Sequence, residues 1–202
     1  MAQRLQTYNA LQRATAPATL PITLSEVKAQ LRVESSDDDA LLTRLIGVAT
    51  AYTDAKGALG QAMITQTWAQ WMGPNPTQSI RLMLGPFQSI SAVKYYDVDG
   101  VLQTDVIGNY QVFGTDFAKT IEPKSGKRWP VAQDRSDAIA VEYITGYGDA
   151  ATDVPDTIKH AMLLLVANWY ENRESELIGS ISKTIPFGYE ALLNMHRDSW
   201  YG

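Results

Sequence analysis

The sequence contains no cysteine among its 202 residues. This absence excludes disulfide cross-links, thiolate zinc sites, iron–sulfur clusters and a cysteine nucleophile, and it is typical of a protein that folds in a reducing cytoplasm. A chain of this length buries roughly 70% of its unfolded surface, so we expect it to fold without a disulfide or a metal. The length suits one globular domain, or one domain with a sizeable insert.

Long hydrophobic runs are missing as well. The most apolar stretch, residues 161–167, is far too short to span a bilayer. The first nine residues lack the apolar core of a secretory signal. The sequence therefore predicts a soluble protein with no membrane partner.

An excess of positive charge is also absent, because the formal net charge is −5. Proteins that bind duplex DNA usually carry a basic patch that displaces counterions from the phosphates. Here the densest cluster of cations is Lys124, Lys127 and Arg128, which we interpret as a solvated loop. A channel that lets DNA slide should have negative walls, so an acidic balance does not exclude DNA as a neighbour.

Catalytic and cofactor-binding motifs are lacking too. The two histidines, His160 and His196, belong to no metal-binding spacing, and there is no nucleophile elbow, phosphate loop or dinucleotide fingerprint. Gly146-Tyr147-Gly148 follows a predicted strand and is interpreted as a turn that ends it. The sequence therefore predicts no cofactor and no catalytic residue.

Two acidic segments superficially resemble metal sites. Residues 97–100, Asp-Val-Asp-Gly, resemble the start of a calcium loop, but the twelfth position is Gly108 where a bidentate glutamate is needed, so a hairpin turn is favoured. Asp37, Asp38 and Asp39 are consecutive, and consecutive helical side chains do not face one another. They are interpreted as residues that open a helix and form an acidic surface.

Helical patterns occupy both ends of the sequence. Residues 1–20 read as an extended arm. A first helix is predicted after Thr23 or Ser25, with Glu26 completing a capping box, and a second runs from the acidic turn to about Gly57. Pro155 opens the strongest helical pattern, which continues to Tyr170, and a short helix follows over residues 188–198.

Residues 62–149 carry alternating strand patterns and most of the turn residues. The predicted class is therefore α+β, a helical platform built from residues 21–61 and 150–202 with an inserted antiparallel β domain. Aromatic residues of the insert are interpreted as sheet core or subunit interface: Trp68, Trp71, Tyr95, Tyr96, Tyr143 and Tyr147. Trp200 and Tyr201 close the sequence, either as anchors for a partner or folded back on their own core.

An ordered series of segments resembles the head–tail connector, or adaptor, proteins of long-tailed bacteriophages and gene transfer agents. The segments are residues 21–33 (PITLSEVKAQLRV), 64–68 (ITQTW), 143–148 (YITGYG), 154–155 (VP), 169–174 (WYENRE) and 186–193 (PFGYEALL). Residues 194–197 depart from the ending expected for that family. The resemblance implies a homo-oligomeric ring, expected to be a dodecamer, that extends the DNA channel beneath the portal protein and supports a stopper or tail-completion protein. It implies a place in the virion neck, reached from the host cytoplasm during assembly, with DNA passing through without sequence-specific binding.

The same resemblance implies a docking role for the C-terminal segment. The residues expected at the portal or subunit interface are Trp169, Tyr170, Arg173, Phe187, Tyr189, Leu192, Trp200 and Tyr201. Asp37, Asp38 and Asp39 are expected to face the channel. Two alternatives stay open: a stopper or tail-completion neck protein, and a phage-encoded hydrolase or nuclease using Glu142, Glu171 or Glu174.

Overall fold

The computed structural model describes residues 10–76, 79–172 and 187–197, with only the backbone of Phe187. Helices and antiparallel sheets confirm the predicted α+β class. The chain divides into two compact units. The strand unit contains residues 10–17 and Thr65–Gly146, and the helical unit contains Ala18–Ile64 and, after the strand unit, residues from Tyr147 onward.

The described part of the helical unit has four helices, namely α1 (Leu24–Leu31), α2 (Asp39–Thr53), α3 (Asp156–Glu171) and α4 (Phe187–Asn194). The predicted capping box opens α1: the Thr23 hydroxyl accepts from the Glu26 amide at 3.2 Å, and the Glu26 carboxylate accepts from the Thr23 amide at 2.7 Å. The helix ends at Arg32, whose φ of 56° is left-handed.

Helix α2 ends at Thr53, before the predicted end near Gly57. Asp54 leaves the helical conformation with ψ of 150°, and its carboxylate accepts a hydrogen bond from the Met63 amide at 2.9 Å. The Ala55 amide then donates to the Gln61 carbonyl at 2.7 Å. A buried aspartate thus converts the expected last turn into a tight loop, because its side chain competes with the helix for backbone partners.

The core of the helical unit follows the predicted periodicity of α3. Its buried face meets buried residues of the other helices and of the loop after α2. The fully buried members on α3 are Ile158, Ala161, Met162, Leu165 and Val166. Helix α4 is shorter than the predicted 188–198 and ends at Asn194. Tyr189 and Leu193 bury its inner face.

The strand unit contains two antiparallel sheets in its described residues. Their strands are β1 (Ala10–Thr15), β2 (Gln66–Met72), β3 (Ile80–Arg81), β4 (Phe87–Tyr96), β5 (Leu102–Asp105), β6 (Tyr110–Thr115), β7 (Ala118–Pro123) and β8 (Ile139–Thr145). The order is β1-β2-β8-β4-β5 in the larger sheet and β3-β7-β6 in the smaller one. The central strand β8 is almost entirely buried, which explains its run of Val, Tyr and Ile.

Strand β1 differs from the extended arm expected for residues 1–20. Residues 10–15 pair with β2 of the same chain, from Ala10 opposite Trp71 to Thr15 opposite Thr67. The Arg13 guanidinium lies 4.9 Å from the centre of the Trp68 ring. An edge strand buries little apolar surface, so it needs few apolar residues. Its Ala/Gln/Thr composition therefore resembles that of a free arm when only the sequence is considered.

Candidate interaction surfaces

An aromatic surface is formed on the helical unit by α2 and α3. Tyr52 is 39% exposed, and Val48, one turn earlier on α2, is 49% exposed. The Trp169 ring meets the Tyr52 ring edge-on, with centroids 6.2 Å apart and planes at 84°. Partly exposed apolar and aromatic side chains of this kind are enriched at protein interfaces.

Tyr189 lies beneath this surface and is completely buried. Its hydroxyl shares a 3.0 Å hydrogen bond with the Thr53 hydroxyl, and its ring lies 6.0 Å from the Tyr52 ring. Burial raises the pKa of the Tyr189 phenol. The structure thus places this expected interface residue inside the core, and Leu192 is partly buried against the same core.

The acidic turn before α2 is held by side chains of its own unit. The Tyr170 hydroxyl donates to the Asp38 carboxylate. The Lys28 ammonium pairs with Asp39 at 2.7 Å and also donates to the Ser35 carbonyl at 2.8 Å. Of the three aspartates expected to face the channel, Asp37 is exposed, while the other two are partly buried and engaged.

The segment after α4 is attached to the helical unit by several polar contacts. The His196 ring shares a hydrogen bond with the Thr157 hydroxyl, and the Gln61 amide donates to the His196 carbonyl. The Arg197 guanidinium donates to the Ala58 carbonyl at 2.8 Å. Burial lowers the pKa of His196. Four expected interface features, Arg173, Trp200, Tyr201 and the Phe187 side chain, lie outside the described residues.

A second apolar surface lies at one edge of the larger sheet. Strand β5 is the edge strand there, and the hairpin around it exposes five large apolar side chains. They are Val98 (67% exposed), Val101 (54%), Leu102 (46%), Val106 (66%) and Ile107 (44%). We call this set the hairpin edge. Strand β5 itself reads Leu-Gln-Thr-Asp, so four of these five side chains lie in the segments that flank it. An open edge strand is a template for association, and the exposed apolar residues beside this one would add to such a contact.

The turn that begins the hairpin edge is built around Asp97. Its carboxylate accepts from the Gln103 amide at 2.8 Å and from the Val101 backbone at 2.9 Å. These bonds, the one to Gln103 first, lower the pKa of Asp97. The interpretation of residues 97–100 as a hairpin turn rather than a calcium loop is therefore confirmed, since the carboxylate serves the turn and Gly100 has a φ of 79°.

The chain matches a known protein family over most of its length. The family model described as "Phage gp6-like head-tail connector protein" matches residues 21–97 and 116–197. The chain belongs to this family of connectors. Among proteins with curated descriptions, none matches the chain.

The fold of the connector is similar to chains in solved gene transfer agent particles. A chain in the neck of an empty particle, computed with C6 symmetry, is 20% identical over 93% of this chain and 95% of its own, with a TM-score of 0.74. A chain in a native virion is 20% identical over 93% of this chain and 94% of its own, with a TM-score of 0.73. A chain in a native neck computed with C12 symmetry is 19% identical over 93% of this chain and 94% of its own, with a TM-score of 0.64. The resemblance to head–tail connectors predicted from the sequence is confirmed, and the connector has a structural role.

The carboxylates considered for catalysis are not gathered in this connector. Glu142 pairs with Lys94 at 2.7 Å, Glu171 is exposed at the end of α3, and Glu174 lies outside the described residues. Across the described ranges, no group of three or more His, Asp or Glu could hold a metal ion, and no helix is long and apolar enough to cross a membrane. The family and the similar structures are components of particles, not enzymes.

The hairpin edge and the exposed part of α2 were missed by sequence reasoning. The spacing of Leu41, Leu45, Val48 and Tyr52 places the last two on the apolar face of α2, but periodicity does not show how much of that face a partner helix covers. In the hairpin, the sequence pattern indicates only a turn at residues 97–100 that reverses the chain into Val101 and Leu102. The signal that could have found them is the excess of Val and Ile beside a polar turn.

Proposed function

We propose that this connector assembles into a closed ring in the neck of a phage or phage-like particle, beneath the portal protein, where it joins head to tail and extends the DNA channel. The observation that carries the proposal is the match of 93% of the chain to neck chains of particles computed with C6 and C12 symmetry. A dodecamer is the stoichiometry that both symmetries allow. The chain would reach the neck from the host cytoplasm during assembly.

Ring closure by identical subunits requires two different surfaces on each chain, since a head-to-tail contact joins one patch to another. The described residues offer two unlike apolar surfaces, the aromatic surface of Val48, Tyr52 and Trp169 and the hairpin edge. We assign these two to contacts between subunits. The segment after α4, with Trp200 and Tyr201, is assigned to portal docking, together with Phe187 and Arg173.

The negative charge of the helical unit supports a channel through which DNA slides without being held. The sequence of the helical unit, residues 18–64 and 147–202, contains fourteen Asp and Glu and only eight Lys and Arg. In the rest of the chain the numbers of acidic and basic residues are nearly equal. A negative wall repels phosphate and lets DNA slide. Asp37 is the exposed member of the acidic turn that suits such a wall. A stopper or tail-completion protein would bind on the side of the ring away from the portal.

The test combines native mass spectrometry with electron microscopy of reconstituted necks. The connector is mixed with portal protein, and the mass gives the number of copies bound, with a dodecamer expected. The micrographs show whether its density lies next to the portal or beyond another ring, and the second position would indicate a stopper instead.

The docking assignment is tested separately by portal pull-down. Trp200→Ala and Tyr201→Ala should leave the circular dichroism unchanged and weaken portal capture at least tenfold, because aromatic anchors dominate binding energy. Val131→Ala, at an 80% exposed position of the strand unit, is the matched control and should capture portal normally. Unchanged capture by both tail variants would show that the tail is not the docking element.

A further inference from the structure

The loop after β7 carries the densest set of cations in the chain, and the connector role leaves it without a function. Lys124, Lys127 and Arg128 are all exposed and form no ion pair with any described residue. Two other cations of the strand unit are matched: Lys94 pairs with Glu142, and Arg135 pairs with Asp137 at 2.6 Å. Three unmatched charges within five residues repel one another, so an anionic partner would stabilise them.

The backbone of this cationic loop is fixed at several points. The Lys127 amide donates to the Lys124 carbonyl at 2.8 Å, and Gly126 between them has a φ of 76°, which closes a tight turn. The Lys124 amide donates to the Asn109 carbonyl at 2.8 Å. A partner would therefore need to order only the ends of three side chains, which lowers the entropic cost of binding.

The base of the loop is fixed as well. The Trp129 ring packs against the Tyr110 ring with centroids 5.0 Å apart, and the Tyr110 hydroxyl donates to Asp105. This aromatic pair connects the loop to the end of β5. The loop is thus solvated at its cationic side chains and held in place at its backbone and base.

The three cations line one open cleft of about 550 Å³. Gln111 and Trp129 also line it, as does one carboxylate, Glu122. The Gln111 amide donates to Glu122 at 2.7 Å. The charged side chains of the cleft therefore sum to a net charge of about +2 in a chain whose total is −5.

We propose that this cleft binds the sugar–phosphate backbone of nucleic acid without reading its sequence. Duplex DNA presents one negative charge per about 1.7 Å of its axis, so several phosphates can reach a loop with three cations. The acidic surface of a second copy is a poorer match, because its densest acidic run has Asp38 and Asp39 already held by Tyr170 and Lys28. The cleft belongs to one chain, so the proposal does not depend on ring formation.

The test measures binding of the full-length protein to a fluorescently labelled duplex by anisotropy over a range of salt concentrations. The slope of log affinity against log salt counts neutralised phosphates, at roughly 0.9 per phosphate. The triple variant Lys124→Gln/Lys127→Gln/Arg128→Gln should lower that slope by about 2 to 3 and weaken binding at low salt at least tenfold. A second duplex of unrelated sequence should bind with equal affinity.

Matched single variants serve as the control. Arg44→Gln removes an exposed cation from the helical unit and should leave the slope unchanged, while Lys127→Gln should lower it by about 1. Absence of duplex binding by the unaltered protein, or equal slopes for it and the triple variant, would overturn the proposal. Polyglutamate that competes as well as DNA at equal charge would also overturn it and indicate an acidic protein partner. Native mass spectrometry of the same variants reports ring formation independently.

Discussion

At the scale of single residues, Tyr189 shows how an interface residue and a core residue can share one sequence signature. It was expected at an interface because it lies in the Pro-Phe-Gly-Tyr segment, whereas the structure buries it against Thr53 and Tyr52. Tyrosine is favoured both in cores and at interfaces, because in both places the ring is buried while its hydroxyl keeps a hydrogen-bond partner. Only the neighbours in three dimensions separate the two cases.

The first prediction concerns the stability that Tyr189 contributes. Tyr189→Ala should lower the free energy of unfolding by about 3 to 5 kcal/mol, because it leaves a cavity in the core. Tyr189→Phe should cost only about 1 kcal/mol, since it removes one buried hydrogen bond and keeps the ring. Urea unfolding followed by circular dichroism measures both, with Met195→Ala, at a 69% exposed position, as the near-neutral control. Equal losses for both variants would mean that the hydroxyl, and not the ring, carries the stability.

His196 leads to a prediction about pH. Burial lowers its pKa below the ordinary value of 6.5, so the folded state favours the neutral ring that bonds to Thr157. A group whose folded pKa is depressed contributes stability that is present above its unfolded pKa and is lost as the pH falls through its folded pKa. We therefore expect the hydrogen-exchange protection factors at residues 194–197, which correct for the pH dependence of intrinsic exchange, to fall as the pH drops below 6.5 in the unaltered protein. His196→Gln should show the same protection factors above and below pH 6.5, and a persisting pH dependence of the protection factors would exclude His196 as its cause.

At the scale of elements, the hairpin edge beside β5 is the feature that bears most directly on assembly. An open edge strand flanked by exposed apolar residues is a liability in a monomer and an asset in an assembly. Its turn is well specified, because Asp97 and Gly100 fix the reversal by side-chain bonding and by a left-handed backbone. The turn therefore holds Val98 and Val101 in a defined position for a neighbour.

This edge supplies the third prediction, which rests on its assignment to subunit contacts. Leu102→Lys combined with Val106→Lys should leave the circular dichroism of the chain unchanged, because both side chains are exposed. The pair should weaken ring assembly at least tenfold, since lysine on an edge opposes strand association. Native mass spectrometry with portal measures the assembly. Val131→Lys is the control for added charge, and equal ring yields for all proteins would remove the hairpin edge from the interface.

Elements with strong local signals were predictable, and those that depend on distant partners were not. The capping box of α1, the apolar face of α3 and the turn at Asp97 each rest on residues close in sequence, and each was predicted. The end of α2 depends on Asp54 bonding to Met63, nine residues away, and β1 depends on β2, more than fifty residues away. The candidate surfaces depend on how fully neighbouring elements cover a face, which periodicity does not encode.

At the scale of the whole molecule, residues 65–146 of the strand unit are inserted between the two halves of the helical unit, while its residues 10–17 precede the first half. The halves meet where the insert leaves and returns. The Tyr147 amide donates to the Met63 carbonyl at 3.0 Å, and Ile64 and Gly148 form a parallel bridge. Both ends of the insert are also close within the strand unit, where the Gln88 amide contacts Thr65 and Gly146 at 2.9 Å. Such adjacent termini are typical of domains that can be inserted or removed as units.

The last prediction follows from this topology. A protein that begins at residue 18 and replaces residues 65–146 with a four-residue Gly/Ser linker should keep the helical unit folded, because the core of α1 to α4 is made by that unit alone. It should show helical circular dichroism and one cooperative thermal transition.

Leu42→Ala in this shortened protein should lower the free energy of unfolding by about 2 to 5 kcal/mol, since Leu42 is fully buried in that core. The shortened protein could instead unfold without a cooperative transition, or Leu42→Ala could leave its free energy of unfolding unchanged. Either result would mean that the helical unit needs the strand unit in order to pack. The two surfaces assigned to ring contacts would then belong to a single folding unit and could not be varied independently.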